Sequence, residues 1–202
     1  LANKGGGFEV LGNEAILSLG EGKTSGLEFL FQQKLAKNFY GILAYTYFSS
    51  EFSGLDGILR PSVWDSRHLI SFSGGYKLRK NWEISARWRY AGKNPYIPVD
   101  INASTISYPE IILDYDTLGE FRLDAFNLAD IRIDKKWNFK NLSFNLYFEV
   151  QNFLAQPNPT PPEYGLNRNL DGSIIVPKNL VPVSNQEGNS SPLPTFGFVL
   201  FF

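Results

Sequence analysis

The sequence contains no cysteine and no methionine, and His68 is its single histidine. The lack of cysteine excludes disulfides, thiolate catalysis and Cys-ligated zinc, and one histidine argues against a His-rich metal site. No apolar run reaches the roughly 20 residues of a membrane-spanning helix. Neither sign of charge predominates, since 19 Lys and Arg stand against 20 Asp and Glu. The composition therefore implies no metal, no cofactor and no nucleic-acid partner.

Aromatic residues, in contrast, are abundant. They make up 15% of the 202 residues, with 17 Phe, 10 Tyr and 4 Trp. The mean hydropathy of -0.18 is that of an ordinary water-soluble protein. It is equally compatible with a transmembrane β-barrel, because barrel strands alternate apolar and polar residues and so average to near zero.

Alternation of apolar and polar residues is the clearest local pattern. In "WEISARWRY", every second residue from Trp82 to Tyr90 is apolar, and the residues between them are Glu, Ser, Arg and Arg. This period of two is typical of a strand with one apolar face, and "LSFNLYFEVQN" repeats it. We predict seven antiparallel strands in consecutive pairing, at 26–34, 39–50, 67–78, 82–91, 127–137, 142–152 and 194–202.

The connections between these strands alternate in length. Three are short turns that contain a Lys-Asn pair, and Asn suits the left-handed positions of tight hairpins. The others are long surface loops, near 53–64, 92–120 and 153–192, and residues 1–20 are predicted to be a further surface loop. No segment has a convincing helical pattern. Pairing Trp137 with Leu142, Leu78 with Trp82 and Lys34 with Asn38 keeps polar side chains opposite polar ones.

Short turns at one end, long loops at the other and strands of about ten residues are typical of an outer-membrane barrel. Aromatic residues also gather near both strand ends, where the membrane interfaces lie. We expect the apolar face to contact lipid at Ile84, Trp88, Ile133, Leu146 and Phe148. The alternative is a soluble β-sandwich, which would need a second sheet over this face.

The number of strands bears on domain organisation. Single-chain bacterial barrels have an even number of strands, with both termini on the short-turn side. Seven strands preceded by a surface loop do not fit that rule. We therefore predict that residues 1–202 are the C-terminal part of a larger transmembrane barrel, whose other strands lie outside this sequence.

Two groups of residues are candidates for function. Charged residues of both signs on the polar strand face predict a hydrated lumen wall, although a metal or acid–base cluster is an alternative: Glu83, Arg87, Arg89, Asp130, Arg132, Asp134 and Glu149. Tyrosines in the long loops are suited to contacting a ligand, or are ordinary loop surface: Tyr96, Tyr108, Tyr115 and Tyr164. The segment "WDSRH" holds Asp65, Ser66 and His68 close together, but neighbouring strand residues point to opposite faces, which argues against a catalytic triad.

The sequence resembles the C-terminal barrel region of TonB-dependent receptors, especially the large Bacteroidetes type. The resemblance rests on "GLEFLFQQKLAKNFYGILAYTYFSS", "RPSVWDSRHLISFSGGYKL", "NWEISARWRYAGKNPY", "FRLDAFNLADIRIDKKW", "LYFEVQN" and "PTFGFVLFF", in this order and spacing. It implies an outer-membrane barrel of 22 strands, closed by a plug domain, that imports a substrate with energy delivered through TonB. It also implies that Phe202 belongs to a C-terminal assembly signal and that a surface lipoprotein is a further candidate partner. The chain would then be a transporter and not an enzyme.

A passive porin or a structural barrel is the alternative function. A co-purifying plug domain would favour the receptor, and an open conducting pore would favour the porin.

Overall fold

The computed structural model describes residues 17–183 and 190–202. Its main feature is one antiparallel sheet in which seven long strands pair in chain order. With strands numbered along the chain, these are β1 (Gly22–Ala36), β2 (Phe39–Ser53), β4 (His68–Lys77), β5 (Trp82–Ala91), β8 (Phe126–Asn138), β9 (Ser143–Gln151) and β12 (Leu193–Phe201). The short β3 (Leu59–Pro61) pairs with the end of β2. The seven predicted strands and their consecutive order are confirmed.

The first two short turns have the backbone conformation that their Lys-Asn pairs predict. Lys37 and Asn38 have φ of 48° and 71°, and Lys80 and Asn81 have φ of 60° and 57°. Asn tolerates this left-handed region better than most residues, which explains its place in these hairpins. The third turn differs, because it spans Phe139–Leu142 without a left-handed residue and is closed by a hydrogen bond from the Phe139 amide to the Leu142 carbonyl (2.8 Å).

Strand register agrees with one of the three predicted pairings. The β4–β5 register is the predicted one, and the Leu78 amide donates to the Trp82 carbonyl (2.8 Å). The other two pairings were wrong by two residues. Trp137 pairs with Phe144 because the third turn is longer than predicted, and a bulge between Gln33 and Ala36 shifts the β1–β2 pairing. A shift of two leaves every side chain on its predicted face, because the strand period is two.

The registers join the apolar residues of all seven strands into one face. One row runs across five of these strands, each residue paired with the next: Tyr76, Ile84, Ile133, Phe148 and Phe196. Their exposed fractions range from 37% to 84%. Leu146 and Trp88 lie on the same face, so the five residues predicted to contact lipid share one side of the sheet. This side is both apolar and uncovered.

The second sheet that a β-sandwich requires is absent from residues 17–183 and 190–202. The two other sheets in this part of the chain are made of strands of two or three residues: β6 (Pro95–Tyr96) with β7 (Phe121–Arg122), and β10 (Tyr164–Leu166) with β11 (Leu180–Pro182). Strands this short cannot cover a face seven strands wide. Only four apolar residues are buried among the described residues, namely Ile97, Ala129, Leu166 and Leu180. The sheet therefore has no core of the sandwich type.

The main sheet is open. β1 and β12 stand at the two ends of the strand order and do not pair with each other. Each therefore has one side on which its backbone groups have no partner strand among the described residues. The sheet is consistent with part of a barrel rather than with a closed one.

The long connections lie at the end of the sheet opposite the short turns, and they follow β2, β5 and β9. The second contains the helix α1 (Ile101–Ser107), which the sequence did not predict. Asp100 caps this helix, since its carboxylate accepts from the Ala103 amide (2.9 Å). Most of the predicted loop 1–20 and part of the loop 153–192 lie outside the described residues. In the part that is described, no helical segment has the length and apolar character that crossing a bilayer would require.

Candidate functional site

The seven charged residues predicted from the strand pattern all lie on the polar face of the sheet. Arg87 is the centre of one group, since its guanidinium lies 3.0 Å from the Asp130 carboxylate and 3.5 Å from the Glu149 carboxylate. Asp130 is buried, and its second oxygen accepts from the Asn152 amide (3.0 Å). A strand-face carboxylate is thus tied both to a neighbouring strand and to the start of the loop after β9.

Arg132 is the centre of the second group, which lies closer to the short turns than the first. It donates two hydrogen bonds of 2.8 Å to the Asp134 carboxylate and lies 3.7 Å from Glu149, which also faces Arg87. Its guanidinium stacks on the Tyr147 ring at 3.8 Å from the centroid. Such bidentate and stacked contacts hold an arginine in one orientation. Because Glu149 bridges the two groups, they form one network across β5, β8 and β9.

Glu83 has a different partner, which the sequence did not indicate. The Tyr40 hydroxyl on β2 donates to the Glu83 carboxylate on β5, across the intervening strand β4. This reach is possible because Gly75 stands between them. A Cβ at that position would come within 2.6–3.0 Å of the Tyr40 ring and hydroxyl. One sequence signal could have indicated this contact. A tyrosine on one strand lies opposite a glycine on the next strand, and the strand after that carries a carboxylate.

Arg89 stands apart from the network. It forms no ion pair within the described residues, and it lines a cleft of about 500 Å³ where the sheet meets the loops. Carboxamide side chains dominate the rest of the polar lining: Asn127, Gln151, Asn152, Gln156 and Asn158. The cleft can offer hydrogen bonds and one unpaired positive charge. The described residues contain no group of three or more His, Asp or Glu side chains that could hold a metal ion.

Two of the four predicted loop tyrosines come together in a second, more apolar groove. Tyr96 and Tyr164 belong to different loops, and both line a groove of about 400 Å³. Apolar and proline side chains make up most of the remaining lining: Ile97, Pro98, Val99, Ile111, Leu113, Pro161 and Pro162. Tyr108 ends helix α1, and Tyr115 begins a short 3-10 turn, so neither lines this groove. The structure therefore brings together half of the predicted set.

Beneath these loops lies a group that we call the loop-base clamp: Asp65, Arg67, Arg122 and the Ser50 amide. The Asp65 side chain is completely buried. It accepts hydrogen bonds from Arg122 (2.7 Å), from the Ser50 amide (2.9 Å) and from Arg67 (3.1 Å). Arg122 also donates to the backbone carbonyls of Asp65 (2.7 Å) and Lys93 (2.8 Å). Two loops and the end of β2 are thus joined at one carboxylate.

The surroundings of Asp65 favour its charged form. Burial alone would raise the pKa of this carboxyl, but the hydrogen bonds from Arg122, Ser50 and Arg67 outweigh it and hold the pKa below its usual value of 3.8. The carboxylate therefore stays ionised and paired at neutral pH. The clamp is a structural joint, which the sequence reading of "WDSRH" did not reveal.

No catalytic triad forms around "WDSRH". His68 lies away from Asp65, on the apolar side of the sheet, where its Nδ1 is 3.0 Å from the Tyr45 hydroxyl. Its ring also packs against Tyr47, with centroids 5.2 Å apart. Asp65 is occupied by the two arginines instead. This arrangement places His68 in an aromatic cluster at the loop end of the sheet.

Phe202 follows β12 directly and is 98% exposed. It continues the alternation of Phe196, Phe198 and Leu200 on the apolar face. Its side chain is therefore available to a partner or to lipid.

Comparison with known proteins places these features in a family. A family model described as "TonB dependent receptor-like, beta-barrel" matches residues 3–153, well over half of the chain. No curated protein and no solved structure matches the chain significantly. The match confirms the receptor resemblance, whereas the Bacteroidetes type stays a prediction. With its strand order, its single apolar face and this match, the chain belongs to the family of TonB-dependent receptor-like β-barrels.

Proposed function

We propose that this chain forms the C-terminal seven strands of an outer-membrane receptor that imports a substrate with energy delivered through TonB. The observation that carries the proposal is the apolar face, which extends across seven paired strands and has no covering layer within residues 17–183 and 190–202. Removing a Leu or Phe side chain from water is worth about 1.5–3 kcal/mol. A face this wide is stable only against an apolar medium, and the hydrocarbon of a bilayer is one.

The strand lengths fit the same environment. The seven strands contain between nine and fifteen residues. A tilted strand needs about 9–11 residues to cross the hydrocarbon of a bilayer. The strands are therefore long enough to span it, and the longer ones extend beyond it toward the loops. This geometry and the family both support a location in the outer membrane.

The open sheet supports the proposal that residues 1–202 are one part of a larger barrel, of about 22 strands in the resembled family. Unpaired backbone groups cost several kcal/mol each in hydrocarbon, so the free sides of β1 and β12 need partner strands. We assign those strands, and the plug domain that contacts TonB, to the rest of the receptor. The surface lipoprotein stays a candidate partner, at the loop side.

Within such a barrel the ion-paired face lines the lumen. Arg87, Arg132 and Glu149 then form a hydrated, mutually neutralised wall against which a plug can rest. The groove between Tyr96 and Tyr164 lies among the outer loops, where a substrate first arrives. Phe202, exposed at the end of the last strand, serves as the assembly signal.

The facing of the strands is tested by two neighbouring substitutions in the complete receptor. Leu146→Arg places a charge on the apolar face beside Lys135, its pairing partner toward the short-turn end, and should destabilise the barrel by about 1–2 kcal/mol, between the costs at the interface and at mid-membrane. Asn145→Arg, the matched control, places the same side chain beside Asp134 on the polar face and should cost much less. Reversible unfolding in lipid vesicles measures both, and equal losses would refute the assignment of faces.

The receptor function is tested by ion conduction. The complete protein, purified from outer membranes and inserted into planar bilayers, should carry no steady current, because a plug fills the lumen. A plug domain should also co-purify with these strands. A steady current through a permanently open pore would refute the receptor proposal and favour a passive porin.

A further inference from the structure

The three short turns carry an unusual concentration of positive charge. Segments 34–38, 77–81 and 135–142 hold eight of the chain's 19 Lys and Arg residues and no Asp or Glu. They are Lys34, Lys37, Lys77, Arg79, Lys80, Lys135, Lys136 and Lys140. The loop after β5 has the opposite bias, with six acidic and two basic residues between 92 and 125. The net charge of -1 therefore conceals a strong separation of charge along the strands.

These eight charges are not neutralised by neighbouring carboxylates. None of them forms an ion pair among residues 17–183 and 190–202, and seven of the eight are exposed, while Lys135 is half-buried. The acidic residues on the adjoining strands are already engaged. Glu83 accepts from Tyr40, and Asp134 accepts from Arg132. The short-turn end thus presents positive charge that lacks an acidic partner in the described sheet.

Side-chain direction separates the eight residues into two groups. By register, Lys77 and Lys136 belong to the polar face of the sheet, whereas Lys135 stands on the apolar face, and Lys34 lies in the bulge between Gln33 and Ala36. The four others lie in the turns themselves. We call Lys135 and these four the short-turn cluster: Lys37, Arg79, Lys80, Lys135 and Lys140. Two hydrogen bonds make the three turns neighbours, since the Lys77 backbone amide donates to the Asn38 carbonyl and the Lys135 ammonium donates to the Lys80 carbonyl.

Aromatic side chains show where this cluster lies relative to a bilayer. The Lys135 ammonium is 5.3 Å from the Trp82 ring centroid and 5.4 Å from that of Trp137. Both tryptophans are on the apolar face and about 40% exposed (43% and 37%). Tryptophan concentrates at the level of lipid headgroups, with its ring in the apolar boundary and its N–H toward water. Lys135 is therefore held at the depth where phosphate groups lie.

We propose that the short-turn cluster binds the phosphate groups of anionic phospholipids in the leaflet at the short-turn end. This inference rests on the proposed membrane-spanning function. Five positive charges that are spread along a rim of three turns match a layer of headgroups better than they match one small anion. Attraction to an anionic surface increases with each Lys or Arg near it and is screened by salt.

The experiment measures which lipid lies next to Trp82 and Trp137. The complete receptor is reconstituted in bilayers containing brominated phosphatidylglycerol or brominated phosphatidylcholine, since bromine quenches the fluorescence of adjacent tryptophan. A parallel Trp82→Phe/Trp137→Phe variant defines the signal of these two rings. In the wild type, we expect the anionic lipid to be preferred at this site by about tenfold at low salt, and the preference to fall as salt is added.

Two triple variants test the assignment to the cluster. Lys80→Gln/Lys135→Gln/Lys140→Gln should remove most of the preference. The matched control, Lys23→Gln/Lys93→Gln/Lys178→Gln, removes the same charge from the loop end and should leave the preference unchanged. Excess glycerol 3-phosphate should not displace the lipid, and displacement would reassign the cluster to a soluble phosphate ligand and overturn the proposal.

The outcomes separate this inference from the function on which it rests. A wild-type receptor that inserts into bilayers but is quenched equally by the two lipids overturns the lipid site alone. A receptor that fails to insert into either bilayer overturns the proposed function, and this site with it. If the cluster variant does not fold, the lipid preference of the wild type and its dependence on salt still decide the matter.

Discussion

Arg122→Ala is expected to loosen the long loops without altering the strands. Arg122 donates to the fully buried Asp65 carboxylate at 2.7 Å and to the backbone carbonyls of Asp65 and Lys93. The substitution removes all three hydrogen bonds at once. It also leaves the charge of Asp65 with weaker compensation, from Arg67 and the Ser50 amide alone.

The size of the effect follows from burial. Removing one partner of a buried ion pair costs about 3–5 kcal/mol, because the other charge stays in a poorly solvated place. Arg122 is one-quarter exposed and Arg67 remains, so we expect the lower end, about 3 kcal/mol. Since 1.4 kcal/mol corresponds to a factor of ten, local opening should become about 100-fold more frequent.

Arg67→Ala is the matched control. Its single bond to Asp65 is longer, at 3.1 Å, and its side chain is 43% exposed. An ion pair this accessible is worth about 1 kcal/mol or less. The control should therefore increase opening by no more than about fivefold.

Amide hydrogen exchange read by mass spectrometry on the complete receptor measures this opening. The informative peptides cover residues 54–67 and 92–125, and strand peptides from β4 and β9 report whether the sheet is intact. We expect faster exchange in the two loop peptides and unchanged exchange in the strand peptides. Equal effects of the two arginine variants, or loop peptides unchanged by Arg122→Ala, would refute the claim that Asp65 joins the loops.

Two further predictions concern pH and folding. Because the folded pKa of Asp65 lies below its ordinary value of 3.8, its stabilising contribution is present above that value and is lost as pH falls through the folded pKa. Opening of the loops, taken as their exchange rate relative to the intrinsic rate at the same pH, should therefore increase in acid, and Asp65→Asn should abolish most of that dependence; an unchanged acid response in the variant would contradict the mechanism. The 202-residue chain expressed alone with a secretion signal should fail to give a heat-modifiable barrel, because the free sides of β1 and β12 lack partners. Co-expression of the remaining strands should restore it, and a stable closed monomer of the chain alone would contradict the partial-barrel proposal.

Local patterns in the sequence were enough to predict the strands and their faces. A strand alternates its side chains with a period of two, so the order of residues from Trp82 to Tyr90 assigns each to a side without knowledge of any neighbour. Lys-Asn pairs likewise marked the first two tight turns, because Asn tolerates the left-handed backbone conformation, whereas the third pair lies in a longer turn without a left-handed residue. These features depend on neighbours in the chain, and the strands and the first two turns were confirmed.

Features that depend on distant residues were decided by the tertiary structure alone. The bond between Arg122 and Asp65 joins positions 57 apart, and no local pattern connects them. The register of β1 depended on a bulge, and the register of β8 depended on the length of the turn that follows it. The alternation of apolar and polar residues encodes neither feature. The Tyr40–Glu83 contact required a glycine on the strand between them, and the meeting of two loops formed the groove at Tyr96. The alternation of side chains and the conformation of turns are set by residues close together in the chain. The loop-base clamp, the groove and the strand register depend instead on which distant segments become neighbours when the sheet assembles.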